Sequence, residues 1–165
     1  MKIAIAKETA PHEARVAASP ETVKKFVALG AAVVVEKGAG MASAMTDDQY
    51  QAAGATMASP ETLYRDADVI LRVRAPGCES IAAMKKGAVL LGLLSPYQDK
   101  EMMKALAAQG VTSFSMELVP RITRAQSMDV LSSQANLAGY RAVLEAAHVF
   151  GRGFPLMMTA AGTVP

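Results

Sequence analysis

The chain has no tryptophan, four tyrosines, four phenylalanines and a single cysteine among its 165 residues. One cysteine, Cys78, cannot close an internal disulfide, so no stapled secreted scaffold is available and a reducing cytoplasmic setting fits. A reactive thiol at Cys78 is chemically open, but an incidental cysteine in the loop after Pro76-Gly77 is the favoured reading. Two histidines, His12 and His148, have no cysteine or acid at motif spacing, and no metal-ligand spacing or nucleophile triad is readable. Charged residues make up 19% of the chain, below the roughly one quarter usual for globular domains, which argues against disorder. The formal charge of +2 is spread out, with no basic block, so nucleic acid is a poor partner. Long apolar runs are missing too. The longest, Ala88 to Leu94, suits a buried strand and falls far short of the roughly 18 residues that span a bilayer. The apolar start of MKIAIAKE is too short for a signal peptide.

What is present is apolar substance: 52% hydrophobic residues, enough for one cored domain or one domain with the start of another. Strand patterns occur at Lys2–Ala6, Ala31–Glu36, Asp68–Val73, Ala88–Leu93 and Val111–Ser115. Helical patterns lie between them. Ser19-Pro20-Glu21 is a good helix start, with Val23, Phe26 and Val27 on one face and Gly30 as the stop. Ser59-Pro60-Glu61 repeats the device. Thr46–Ala53 forms a short helix whose Asp47-Asp48 pair suits the helix dipole. Asp99–Gln109, ended by Gly110, is another. Alternating strands and helices with short connections predict an α/β fold: an open, mostly parallel sheet with helices on both faces. Ligands in such sheets sit beyond the carboxyl ends of strands, here the loops beginning at Lys7, Lys37, Arg74, Ser95 and Glu117. Gly38-Ala39-Gly40 looks like a piece of a dinucleotide fingerprint, but Ser43 stands where the third glycine belongs, and turn geometry is favoured. Arg15 in the first of these loops suits an anion, with a salt bridge to Glu8 or Glu13 as the equal alternative. Arg72 and Arg74 alternate on one strand face, which is costly without anions nearby; Arg74 is the better site candidate.

The densest polar run is Pro120 to Tyr140. At about 100° per residue, Asp129, Ser132, Ser133, Asn136 and Tyr140 share one side of a helix, while Met128, Leu131 and Ala135 take the other. Either the polar side is merely solvated or it presents donors, acceptors and a carboxylate to a ligand. Ser127 or Asp129 caps this helix, which runs to about Gly151, and His148 near its end suits the dipole. Arg121 to Ser127 is a loop feeding it. Arg, Gln, Asp and Ser in one short run position a polar ring, as when a cofactor carries the chemistry and the protein fixes geometry. The segment from Arg152 to Pro165 reads as a Gly/Pro-broken exit without a strand of its own.

The run Pro120-Arg121-Ile122-Thr123-Arg124-Ala125-Gln126-Ser127-Met128-Asp129, with Leu131-Ser132-Ser133 and Asn136-Leu137-Ala138-Gly139-Tyr140-Arg141-Ala142, closely resembles the signature of the NAD(H)-binding domain of proton-translocating NAD(P) transhydrogenase alpha subunits. Lys7-Glu8, Glu13-Ala14-Arg15-Val16-Ala17, Glu36-Lys37-Gly38-Ala39-Gly40 and Thr159 to Pro165 extend the resemblance over essentially the whole chain. It implies a flavodoxin/Rossmann-like first lobe over 1–126, a long connecting helix over 127–152 and a linker over 153–165 toward a dinucleotide-binding lobe that lies beyond this sequence. It implies hydride exchange between NAD(H) here and NADP(H) on a beta subunit, with Arg121, Gln126 and Asp129 as the catalytic set and Ser132 joining them in cofactor binding. A homodimer of the complete domain, no metal, and a cytoplasmic position peripheral to the inner membrane through partner subunits go with it. Without the second lobe, the fragment is expected to bind NAD poorly and to be inactive alone. Alanine dehydrogenases resemble the chain at Arg15 and at the strand-end basic position, here Arg74; their catalytic histidine aligns with about Ser95, which argues against pyruvate amination. A non-catalytic assembly module is the remaining alternative.

Overall fold

In the computed structural model, which describes residues 1–154 and 157–164, six parallel strands make one sheet in the order β3-β2-β1-β4-β5-β6. They are β1 (Lys2–Ile5), β2 (Ala32–Glu36), β3 (Thr56–Ala58), β4 (Val69–Arg74), β5 (Val89–Leu93) and β6 (Thr112–Ser115). The connecting helices are α1 (Pro20–Ala28), α2 (Asp47–Ala52), α3 (Pro60–Leu63), α4 (Cys78–Ala82) and α5 (Lys100–Gln109). The chain winds outward from β1 to β3, returns to lay β4 against the other side of β1, and winds outward again. This doubly wound order leaves a switch point between β1 and β4, where neighbouring connections diverge.

Side-chain alternation explains why both faces are covered. On β1, Ile3 and Ile5 enter one core with Val33, Val35, Val23 of α1 and Tyr50 of α2. Ala4 and Ala6 enter the other, with Ile70, Leu90, Ile81 of α4 and Leu106 of α5. A strand buried on both faces cannot show a polar–apolar alternation, which is why these strands read as continuous apolar runs.

The helix starts follow their local chemistry. Ser19 Oγ accepts the Thr22 N–H at 3.3 Å ahead of Pro20. Thr46 and Gln49 form a reciprocal capping box at α2. Ser59 instead pairs its hydroxyl with that of Thr62 at 3.2 Å. Gly30 and Gly110 end α1 and α5 with φ of +85° and +72°, a backbone region that side chains with a Cβ resist.

Three expectations need correction. The sheet has a sixth strand, β3, too short for any alternation to show. Cys78 is the exposed first residue of α4, a five-residue helix, and does not lie in a loop; a single turn carries no readable period. The exit segment does hold strands: β7 (Met157–Thr159) and β8 (Gly162–Val164) pair antiparallel. Their turn is closed by Thr159 Oγ1, which accepts the Ala161 N–H and donates to the Gly162 carbonyl. Pro165, at the end of the Thr159 run, lies outside the described residues.

The chain divides into two compact units, Met1–Pro120 and Arg121–Pro165. The second holds a 3₁₀ segment, Thr123–Met128, the 20-residue helix α6 (Val130–Val149) and the hairpin. No residue of α6 is buried. No helix among the described residues is long and apolar enough to cross a membrane.

Candidate functional site

In the first unit, the carboxyl ends of β1 and β4 meet at the switch point. The loop after β1 delivers Glu8, whose side chain is only 1% exposed. Glu8 Oε1 accepts the Val73 N–H at 2.7 Å, and Oε2 accepts the Arg74 N–H at 3.3 Å and Arg72 Nη2 at 3.4 Å. Arg72 is itself buried, its Nη1 reaching the Tyr64 hydroxyl at 3.4 Å. The two backbone donors converge because β4 bulges here. Leu71 pairs with Leu91 and Arg74 with Leu93, so Arg72 and Val73 together face the one residue between, Gly92.

Nearer the surface, Glu13 holds two arginines. Its Oε1 accepts Arg15 Nε at 2.7 Å, and its Oε2 accepts Arg15 Nη2 at 2.6 Å and Arg74 Nε at 3.0 Å. The hydrogen bonds from Arg15 pull the Glu13 pKa down to about 2, against the opposing effect of burial, with Arg74 adding to the fall. Glu13 reciprocally raises the Arg15 pKa. Of the two readings of Arg15, the structure takes the salt bridge: it is paired with Glu13. The anions required by Arg72 and Arg74 are Glu8 and Glu13. A cavity of about 180 Å³ is lined by both carboxylates together with Lys7, Arg15, Gly38 and Met41.

The Gly38 loop does not fit a pyrophosphate. Its φ is +72°, as a turn requires, and its N–H is accepted by Asp47 Oδ1 at 2.9 Å. A carboxylate on the donor that a phosphate would need favours the turn reading. At the end of β5, Ser95 has φ of +48°, with its N–H and that of Leu94 both accepted by the Glu117 carboxylate.

In the second unit, three of the four predicted cofactor residues come together at the start of α6. Asp129 is the N-cap: its Oδ1 accepts the Ser132 N–H at 3.0 Å. The Ser132 hydroxyl donates to Asp129 Oδ2 at 2.6 Å and accepts from Arg121 Nη2 at 3.1 Å. Arg121 Nε stands 3.5 Å from Asp129 Oδ2. These contacts, led by the Ser132 hydroxyl, lower the Asp129 pKa, so the carboxylate is charged at neutral pH. Gln126 contributes its carbonyl, which accepts the Asp129 N–H at 3.2 Å. Its exposed side chain has no hydrogen bond among the described residues, and Arg124 is likewise exposed and unpaired there. His148 is near the C-terminal end of α6, as its dipole reading requires. Reasoning from sequence missed Glu8 as an anion at the switch point, although the strand-face pairing of Arg72 and Arg74 signalled that some acid had to be there.

The strand order and the crevice at β1 and β4 define an open, doubly wound α/β lobe. The family model described as alanine dehydrogenase/PNT, N-terminal domain, matches residues 4–138, and the chain belongs to this family. It is 53% identical to the first portion of the NAD(P) transhydrogenase subunit alpha of Rhodospirillum rubrum over 171 aligned residues, covering all of this chain and 44% of that protein. A solved transhydrogenase structure from Sinorhizobium meliloti superposes with a TM-score of 0.92 at 53% identity, over 100% of this chain and 49% of that one. Alanine dehydrogenase 1 of Staphylococcus aureus is 31% identical over 148 residues, 90% of this chain and 39% of its own length. The chain thus spans less than half the length of these relatives.

Proposed function

We propose that this chain supplies the nicotinamide-facing segment of the NAD(H)-binding component of a proton-translocating transhydrogenase, in which hydride passes between NAD(H) here and NADP(H) on a beta subunit. The observation that supports it most directly is the joined cluster of Arg121, Asp129 and Ser132 at the N-terminus of α6. The donor set fits a carboxamide and a ribose: Asp129 accepts from N–H or O–H groups, and Ser132, whose proton is committed to Asp129, offers a lone pair. Gln126 adds a free amide, able to donate and accept. The bound nicotinamide would supply the hydride chemistry. The residues of this chain would hold its ring and amide in one orientation, which is where such a protein gains rate. The turn at Gly38 offers no cradle for the pyrophosphate, which agrees with weak dinucleotide binding by this chain alone. The relatives named as transhydrogenase subunits favour this reading over alanine oxidation, as does Ser95 at the position expected to carry histidine. A homodimer of the complete domain, peripheral to the inner membrane on its cytoplasmic side through partner subunits, completes the proposal.

Titration of the ¹⁵N-labelled chain with NADH tests it. Amide shifts are expected at Gln126, Asp129 and Ser132 with a Kd weaker than about 100 μM, and they should disappear in Asp129→Ala. NADPH shifting the same amides equally, or no shift near about 1 mM NADH, would overturn the reading. A pyruvate and ammonia assay on the extended open reading frame should give no turnover.

A further inference from the structure

We infer that the switch-point crevice between β1 and β4 is an anion seat filled by the chain's own Glu8, and that a free small carboxylate can take its place once the side chain is removed. This goes beyond the nucleotide reading and does not depend on it.

An open α/β sheet places its ligand at the carboxyl ends of the strands flanking the switch point. Anion seats at such places are built from converging backbone N–H groups with a cation nearby. Each component is present here. Val73 and Arg74 turn successive N–H groups toward one point, at 2.7 and 3.3 Å from the Glu8 oxygens. Arg72 brings a guanidinium with 5% side-chain exposure to 3.4 Å. Its Nε is buried with no hydrogen-bond partner among the described residues, so the cation is held for charge more than for a full set of hydrogen bonds. What occupies the seat is a carboxylate that arrives on the loop after β1, more than sixty residues away in sequence from its donors. Glu8 therefore stands where this architecture would otherwise bind an external anion.

The seat can be emptied without removing a donor. Glu8→Ala keeps the loop backbone and Cβ and deletes the next carbon together with the carboxyl group. The deleted atoms correspond to acetate, so acetate should refill the seat, formate should do so less well, and benzoate should not fit. Rescue of this kind is linkage: a ligand that binds only the folded state raises its stability in proportion to the logarithm of its concentration.

The test compares thermal unfolding of wild type, Glu8→Ala and Glu79→Ala, a change at an exposed α4 position, in sodium acetate and in sodium chloride at equal ionic strength. Acetate is expected to raise the Tm of Glu8→Ala by more than about 3 °C over chloride, to leave the other two unmoved, and to shift the Val73 and Arg74 amide resonances of the variant. Acetate moving all three proteins equally, or moving none, would overturn the inference. If Glu8→Ala does not fold in chloride, refolding in acetate reads the same quantity: soluble folded chain in acetate alone supports the seat, and failure in both sinks it.

Discussion

Glu13 shows how much a single carboxylate can organise. Its side chain is 6% exposed and it is the meeting point of Arg15 and Arg74. Its pKa lies at about 2 against an ordinary 4.5. A carboxylate depressed by folding contributes stability that is complete above the unfolded value and lost as pH falls through the folded one. Replacing it with glutamine should cost about 1–2 kcal/mol at neutral pH, allowing for the exposure of its two arginine partners. Urea midpoints of wild type and Glu13→Gln should differ at pH 7, draw together as pH falls below about 4.5, and coincide only below about pH 2. Asp129 carries the same sign: its lowered pKa means that acid weakens the α6 cap. Asp129→Ala should reduce helical circular dichroism, whereas Asp129→Asn, which still caps, should largely preserve it. At this scale the sequence was partly legible. Alternation put Arg72 and Arg74 on one face and demanded anions for them. Which acids answered was set by loop closure across more than sixty positions, which no local pattern encodes.

At the scale of elements, β5 tolerates little at Gly92. A Cβ there would stand 2.8 Å from the Arg72 carbonyl oxygen, a backbone atom that cannot swing away. Gly92→Ala should therefore push β4 and β5 apart at the bulge and cost about 1–3 kcal/mol, read as a lower urea midpoint with an unchanged slope. The same bulge aims the Val73 and Arg74 N–H groups, so this variant should also disturb their amide resonances. β1, β2, β4 and β5 were readable because burial on both faces makes them largely apolar runs, whereas β6, with no residue buried, was readable from Val111 and the Gly110 stop before it. Thr56–Ala58 was not, since three residues at a sheet edge show neither a run nor a period. The long helix was readable in its length and in its two candidate caps, Ser127 and Asp129. Choosing Asp129 required the geometry, in which Thr123–Met128 tightens to a 3₁₀ segment first. The apolar side expected at Met128, Leu131 and Ala135 is present as a pattern but covers nothing within the described residues, since Met128 and Leu131 are 50% and 45% exposed. Amphipathicity marks a face that can be buried; it does not name what buries it.

For the whole molecule, the division after Pro120 has a thermodynamic meaning. Both apolar cores draw all their buried members from Met1–Pro120. A chain of residues 1–120 should unfold in one cooperative urea transition with a midpoint close to that of the sheet signal in the full chain. A loss of cooperativity on truncation would show that the second unit completes the first. The open, mostly parallel sheet was within reach of sequence because turn glycines, Ser-Pro-Glu helix starts and strand spacing all agree on it; the family was reached through the resemblance of the run from Pro120 to Tyr140. Helix α6 has no buried residue of its own. Its twenty residues rely on backbone hydrogen bonds, one good cap and surface pairs such as Arg141 with Glu145, without the packed face that supplies most helix stability in proteins. Its amide hydrogens should exchange with solvent orders of magnitude faster than those of β1, whose neighbours lie on both sides. Any surface that settles on α6 would then announce itself first as a slowing of that exchange.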